Sequence, residues 1–217
     1  MNKKQELYKS LLAKKKLKGL EDLLYFNKYI LESDPKRRDL LVPHVHGEWI
    51  DWYKNSKKRI KMILVPRATF KSTFFTVGRT LQAICQDKDV RILIANATLG
   101  NSQKFLGEVK SHLRKNRLLN ELYAPDGGFY DKGLKWNEDE IEVRGKGLGS
   151  REPTVTAAGV GGNLVSQHYN MIIADDLMNL ENSATRYQVD KVIDWWRRAF
   201  SLLDYDGEMI IIGTRWS

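Results

Sequence analysis

Ile60-Lys61-Met62-Ile63-Leu64-Val65-Pro66-Arg67-Ala68-Thr69-Phe70-Lys71-Ser72-Thr73 is the stretch whose reading decides the fold. Residues 60–65 form a largely apolar run of strand length, Pro66 ends it, and residues 72–85 return to the spacing of a helix. Strand, tight loop and helix then recur: residues 90–95 read as strand and 101–115 as helix. Residues 141–144 and 154–158 read as strands in a glycine-rich region, and 171–174 as a buried strand closing on two aspartates. A long helix follows over 184–203, and 209–212 is a last apolar strand. Short apolar strands alternating with helices predict an α/β fold, a mostly parallel sheet flanked by helices and covered on both faces. Working outward to the N-terminus, helices are expected over 3–18, 20–31 and 46–53, with a charged break at 33–39.

The loop itself carries chemistry. A turn between a strand and a helix N-terminus aims backbone N–H groups and the positive end of the helix at an anion. Lys71 would reach the β- and γ-phosphates of a triphosphate and the Ser72 hydroxyl would ligate Mg²⁺. The pattern G-x-x-x-x-G-K-[ST] is met only in part, since Val65 and Phe70 fill both glycine positions. Lys-Ser-Thr at a helix start also arises in an ordinary capped helix. A second signal adds weight: Tyr169-Asn-Met-Ile-Ile-Ala-Asp175-Asp176 places two acids at a strand's C-terminal end, where open α/β sheets bind ligands. Adjacent carboxylates there are costly unless a cation or hydrogen bonds share the site. Asp175 would orient the metal and Asp176 the attacking water; the alternative is a turn or helix cap. The strand bearing these acids is expected beside the strand bearing the loop.

The chain of 217 residues suits one α/β domain with a small helical appendage, and its hydrophobic share of 42% belongs to a folded protein. A single cysteine, Cys85, forms no internal disulfide, so a reducing compartment is expected. No apolar run approaches the roughly 20 residues of a membrane span, and no apolar segment follows the basic N-terminus, so a soluble, non-secreted protein without a membrane partner is expected. The net charge is +9, and residues 1–19 hold seven lysines against one glutamate. Such a surplus favours a polyanion such as DNA, or is a solvated helix.

With both motifs in view, the chain from about Pro43 to Trp216 resembles the terminase large subunit family in its ATPase domain. Terminases carry an altered Walker A motif with an arginine four positions before the lysine, as Arg67 precedes Lys71 in Pro66-Arg67-Ala68-Thr69-Phe70-Lys71-Ser72-Thr73. Asp175-Asp176 resembles the Walker B pair, and Ile210-Ile-Ile-Gly-Thr-Arg-Trp-Ser217 the coupling motif, in which Thr214, flanked by Arg215 and Trp216, would sense the γ-phosphate. The resemblance implies a P-loop fold of the RecA/ASCE-like kind, with residues 1–42 a basic helical extension and 43–217 the ATPase domain. It further implies ATP and Mg²⁺ as cofactors and double-stranded DNA as the translocated partner. A portal protein, a small terminase subunit, a homo-oligomeric ring and action in the host cell cytoplasm are implied as well. The family's C-terminal nuclease domain is absent from these residues, and the end at Ser217 suggests a fragment. A helicase-like ATPase, or a non-catalytic nucleotide- or DNA-binding module, is the alternative.

Further residues enter through the resemblance. Pro43-His-Val-His-Gly-Glu48 falls where the family recognises adenine, which gives His46, or Glu48, that role; a capped surface helix is the plain alternative. Arg151, then Arg144, would serve as an arginine finger reaching a neighbouring subunit, or would touch DNA or solvent. Asn96-Ala-Thr-Leu-Gly100 would couple nucleotide to DNA, or cap the next helix through Thr98 or Asn101. Trp195-Trp196 reads as placing at least one ring in the core.

Overall fold

The computed structural model describes residues 3–147, 151–162, 164 and 167–214. Six strands, β1 (Ile60–Leu64), β2 (Ile92–Asn96), β3 (Glu140–Ile141), β4 (Val155–Gly159), β5 (Tyr169–Asp175) and β6 (Leu203–Gly213), form one sheet in the order β1-β6-β5-β2-β4-β3. All neighbours are parallel except β3, which runs antiparallel to β4. The α/β architecture read from the periodicity is therefore present. The helices are α1 (Lys3–Glu21), α2 (Leu23–Phe26), α3 (Pro35–Asp39), α4 (Glu48–Asn55), α5 (Arg79–Gln86), α6 (Leu99–Lys115), α7 (Arg117–Tyr123) and α8 (Arg186–Ser201). A π-helical segment, Thr73–Gly78, leads directly into α5.

Each face of the sheet has its own apolar layer. Phe74, Phe75, Leu81, Leu106 and Val109 pack with Ile92 and Ile94 on one face. On the other, Val192, Trp195 and Ala199 of α8 pack on Leu93, Ile172 and Met209. Strand side chains alternate between faces, so β2 and β5, covered on both sides, had to be apolar at nearly every position. Trp195 is buried and Trp196 stacks on Phe200, as the core expectation for that pair required.

Three features differ from the expectations. First, β1 is not covered on both faces: Ile60, Met62 and Leu64 are 39%, 54% and 53% exposed while Lys61 and Ile63 are buried. The reason is position, because β1 lies at the edge and α8 spans only the central strands. Second, the expected border after residue 42 is no boundary in the packing. Leu23, Phe26, Ile30, Leu31 and Leu41 belong to the same core as Phe74 and Val77, while α1 before Gly19 and the stretch 33–40 around α3 stand largely exposed. Third, β6 begins well before residue 209. Tyr169 pairs with Leu203 and Met171 with Glu208, so Asp204 to Gly207 bulge opposite Asn170. Asp204 on this bulge holds Arg91 and Asn170, which anchors a segment that resembles a turn in sequence.

Candidate active site

The C-terminal ends of β1, β6 and β5 lie side by side. β6 stands between the other two, so the acid-bearing strand is one strand removed from the loop strand rather than adjacent to it. The tip of β6 ties the two together: the Gly213 carbonyl accepts the Val65 N–H at 3.2 Å and the Ile212 carbonyl accepts the Asp176 N–H at 2.8 Å. Thr214 follows this tip and is partly buried, while Arg215 and Trp216 lie outside the described residues.

Lys71 and the two acids meet across this end of the sheet. Its Nζ is 2.6 Å from Asp176 Oδ2 and 3.8 Å from Asp175 Oδ1. Lys71 and Asp175 are buried, whereas the Asp176 side chain is 44% exposed and faces solvent. Asp175 accepts a hydrogen bond from the Thr76 hydroxyl at 2.7 Å, and the Ser72 hydroxyl lies near enough to favour its charged form. Burial raises the Asp175 carboxyl above its ordinary value; the Ser72 and Thr76 hydrogen bonds and the Lys71 charge oppose the rise, and Asp176 adds to it. Asp175 Oδ1 is buried with no hydrogen-bond partner. A buried acceptor beside a hydroxyl is a donor set that suits a hard divalent cation, so Ser72 and Asp175 fit Mg²⁺. Among the described residues no group of three or more His, Cys, Asp or Glu side chains is placed to hold a metal by itself.

The loop that presents Lys71 holds Ala68 at φ 60° and Phe70 at φ 61°. Both are left-handed conformations in which glycine is favoured, so the chain makes a glycine-type turn with side chains in place. Thr69 Oγ1 donates to the Pro66 carbonyl at 2.7 Å, closing the turn, and Arg67 lies on its exposed side. His46 lies beneath the loop. The Val42 N–H donates to its Nδ1 at 3.0 Å, so Nε2 carries the proton and donates to the Thr69 carbonyl at 3.2 Å. Its ring stacks on Phe74, with centroids 4.8 Å apart. With the ring buried and both nitrogens engaged, His46 supports the loop and presents no edge to an adenine, unlike the role taken from the resemblance. Glu48 starts α4.

Two further residues belong to the site: Thr76, which had no part assigned from the sequence, and Asn96, expected only as the start of the coupling or capping loop 96–100. Thr76 lies one turn after Ser72 on the buried side of the helix, and that i, i+4 spacing is the signal that could have found it. Asn96, at the end of β2, donates to the Asp175 carbonyl at 2.6 Å, and its Oδ1 accepts from Asn101 Nδ2 at 3.1 Å. Thr98 caps α6. The loop after β2 thus both caps a helix and fixes the backbone of the acid pair.

The structure does not bring Arg151 to this site. It precedes β4, at the opposite end of the sheet, and is exposed. Arg144 is held by Asp131 and the Asp126 carbonyl. Among the described residues no helix is long and apolar enough to cross a membrane.

No family model and no curated protein matches this chain. Its fold is similar to the crystal structure of the large terminase of bacteriophage HK97, with a TM-score of 0.51 and 12% sequence identity over 89% of this chain and 37% of that one. The chain therefore spans little more than a third of that protein's length, and at this identity the likeness is one of fold.

Proposed function

We propose that this chain is the ATP-hydrolysing domain of a terminase-type motor that drives double-stranded DNA into a viral procapsid. One observation carries the reading: Lys71, on the loop after β1, meets Asp175 and Asp176, at the tip of β5, within one salt-bridge distance on a strained turn at a helix start. That arrangement suits a triphosphate, with the fold likeness to a large terminase pointing to the same class.

In this reading the phosphates displace Asp176 from Lys71, whose ammonium then neutralises β- and γ-phosphate charge, with Arg67 assisting from the exposed side of the loop. Ser72 and Asp175 would hold Mg²⁺, which would supply positive charge against the negative charge that develops on the phosphates. Asp176, released and solvent-facing, orients a water for in-line attack on the γ-phosphorus. The bond to the β,γ-bridging oxygen breaks, ADP leaves with the electron pair, and the water's proton passes to the Asp176 carboxylate or directly to phosphate. Loss of the γ-phosphate is felt by Thr214 at the end of β6, which is bonded to both sides of the site. DNA, a portal, a small terminase subunit and neighbouring copies in a ring are the partners this function requires, and Arg151 would act on a neighbouring copy rather than on this site.

The test is Mg-ATP binding and turnover by the wild type, Lys71→Ala and Asp176→Asn. Binding lost in Lys71→Ala, and kept without turnover in Asp176→Asn, is expected. A Lys71→Ala protein that binds Mg-ATP as the wild type does would end the proposal.

A further inference from the structure

The helix that follows the phosphate loop starts irregularly. Thr73–Gly78 winds as a π-helical turn, with the Arg79 N–H donating to the Phe74 carbonyl five residues back, before α5 takes up the regular spacing. Such turns are rare and are frequent at functional sites. A wider turn takes more residues to come round, so residues four apart stand nearly one above the other along the helix. Ser72 and Thr76 are such a pair. Ser72 is partly exposed beside Lys71, whereas Thr76 is wholly buried.

A threonine hydroxyl has one proton to donate, and Thr76 gives it to Asp175 Oδ2 at 2.7 Å. The Thr76 carbonyl accepts from the Thr80 hydroxyl at 2.7 Å, which ties the wide turn to the first turn of α5. The other carboxylate oxygen, Asp175 Oδ1, is buried without a hydrogen-bond partner and lies 3.8 Å from Lys71 Nζ. The torsion that turns an aspartate carboxylate is broad and roughly two-fold, so the side chain alone does not decide which oxygen points where. The bond from Thr76 decides it. A residue without a hydroxyl at position 76 would leave a buried oxygen short of its donor, at a cost in free energy.

We propose that Thr76 is a positioning residue for the divalent cation: its hydroxyl holds Asp175 Oδ2, so that Oδ1 remains the oxygen offered beside Lys71. The π-helical turn is what carries residue 76 to the carboxylate. The proposal rests on the Mg²⁺-triphosphate reading of Lys71, Ser72 and Asp175. It divides the work of two hydroxyls one turn apart, Ser72 for the metal and Thr76 for the carboxylate that binds it. Hydrogen-bond partners that orient a metal-binding carboxylate are commonly worth about ten- to a hundredfold in metal affinity.

The experiment is equilibrium binding of ATP, in EDTA and across a Mg²⁺ titration, to the wild type, Thr76→Val, Thr76→Ser, Asp175→Asn and the double variant Thr76→Val/Asp175→Asn. Valine keeps the shape and loses the hydroxyl; serine keeps the hydroxyl and loses the methyl group. Thr76→Val should need about tenfold more Mg²⁺ than the wild type for half-maximal enhancement of ATP binding. Its affinity for ATP in EDTA should stay as in the wild type, which also reports that the variant is folded. Thr76→Ser should keep the wild-type Mg²⁺ requirement. In the Asp175→Asn background Thr76→Val should add nothing, because the carboxylate it positions is gone. A wild-type Mg²⁺ requirement in Thr76→Val, a raised one in Thr76→Ser, or an equal loss from Thr76→Val with and without the carboxylate would overturn the proposal and leave the metal site standing. A Thr76→Val protein that loses ATP in EDTA as well would mark a packing role and overturn it too. If the wild type binds no ATP, or binds it indifferently to Mg²⁺, the nucleotide or metal site itself falls, and the part of Thr76 with it.

Discussion

Ala68, Phe70 and Asp176 are non-glycine residues with positive φ, at 60°, 61° and 46°; the first two lie in the loop before Lys71 and the third is one of the acid pair. A side chain in this region costs roughly 1–2 kcal/mol, and such strain persists where the surroundings impose it, commonly at functional sites. Ala68 is exposed and contributes little packing, so Ala68→Gly should raise the unfolding free energy by about 1 kcal/mol in urea titration, and Ala68→Val should lower it. Asp175 yields a pH prediction. Its folded pKa is raised from 3.8, so the folded form holds the proton more tightly than the unfolded chain. The stabilising contribution is full below that ordinary value and fades as pH rises through the folded pKa. Asp175→Asn should therefore gain stability relative to the wild type on going from acid to neutral pH, while losing Mg²⁺ affinity. Thermal midpoints measured across that range check it, and a difference between the two proteins that is flat with pH would contradict it. That Lys71, Asp175 and Asp176 meet could be expected from the sequence, because a lysine at a helix start and two acids at a strand end both fall at one edge of a parallel sheet. The bond from Asn96 to the Asp175 carbonyl could not, because a side chain that holds another strand's carbonyl has no signature of its own. His46 was misplaced for the opposite reason: the resemblance supplied a role, and the hydrogen bonds to Val42 and Thr69 override it.

At the scale of elements, α8 shows how local signals and burial combine. Thr185 and Gln188 form a reciprocal capping box at its start, and Trp195 lies 1% exposed against the sheet. Thr185→Ala should cost about 1 kcal/mol and Trp195→Ala about 3–5 kcal/mol, read as shifts in the denaturation midpoint at constant slope. A Trp195→Ala loss below about 1 kcal/mol, far under the usual cost of emptying a buried aromatic site, would mean that α8 does not seal this face. The buried strands were legible because both faces of β2 and β5 are covered. The open face of β1 was not, since a run such as Ile-Lys-Met-Ile-Leu reads alike at the edge and the centre of a parallel sheet. The bulge in β6 was hidden because Asp204 to Gly207 has the composition of a turn, and only the cross-strand bonds of Asp204 reveal its place in the ladder.

For the whole molecule, much of the positive charge lies on α1, which packs along α5 and α7 and turns its lysine-rich side outward. Lys3, Lys14 and Lys16 are exposed on α1. If this helix grips the duplex the proposed motor moves, replacing all three by Gln should weaken duplex DNA binding and flatten its salt dependence by up to about 0.9 in log–log slope for each phosphate no longer neutralised. ATP binding should be untouched, and an unchanged slope would place the DNA-gripping surface elsewhere. The body itself has one mechanical consequence written into its backbone. Consecutive carbonyls of one central strand, Ile212 and Gly213, carry the amides of Asp176 and Val65. The two halves of the pocket hang from a single yoke, so neither can part from it without dragging at its fellow. Deuterium uptake at those two amides should then proceed in step, slowing together whenever a ligand braces either one.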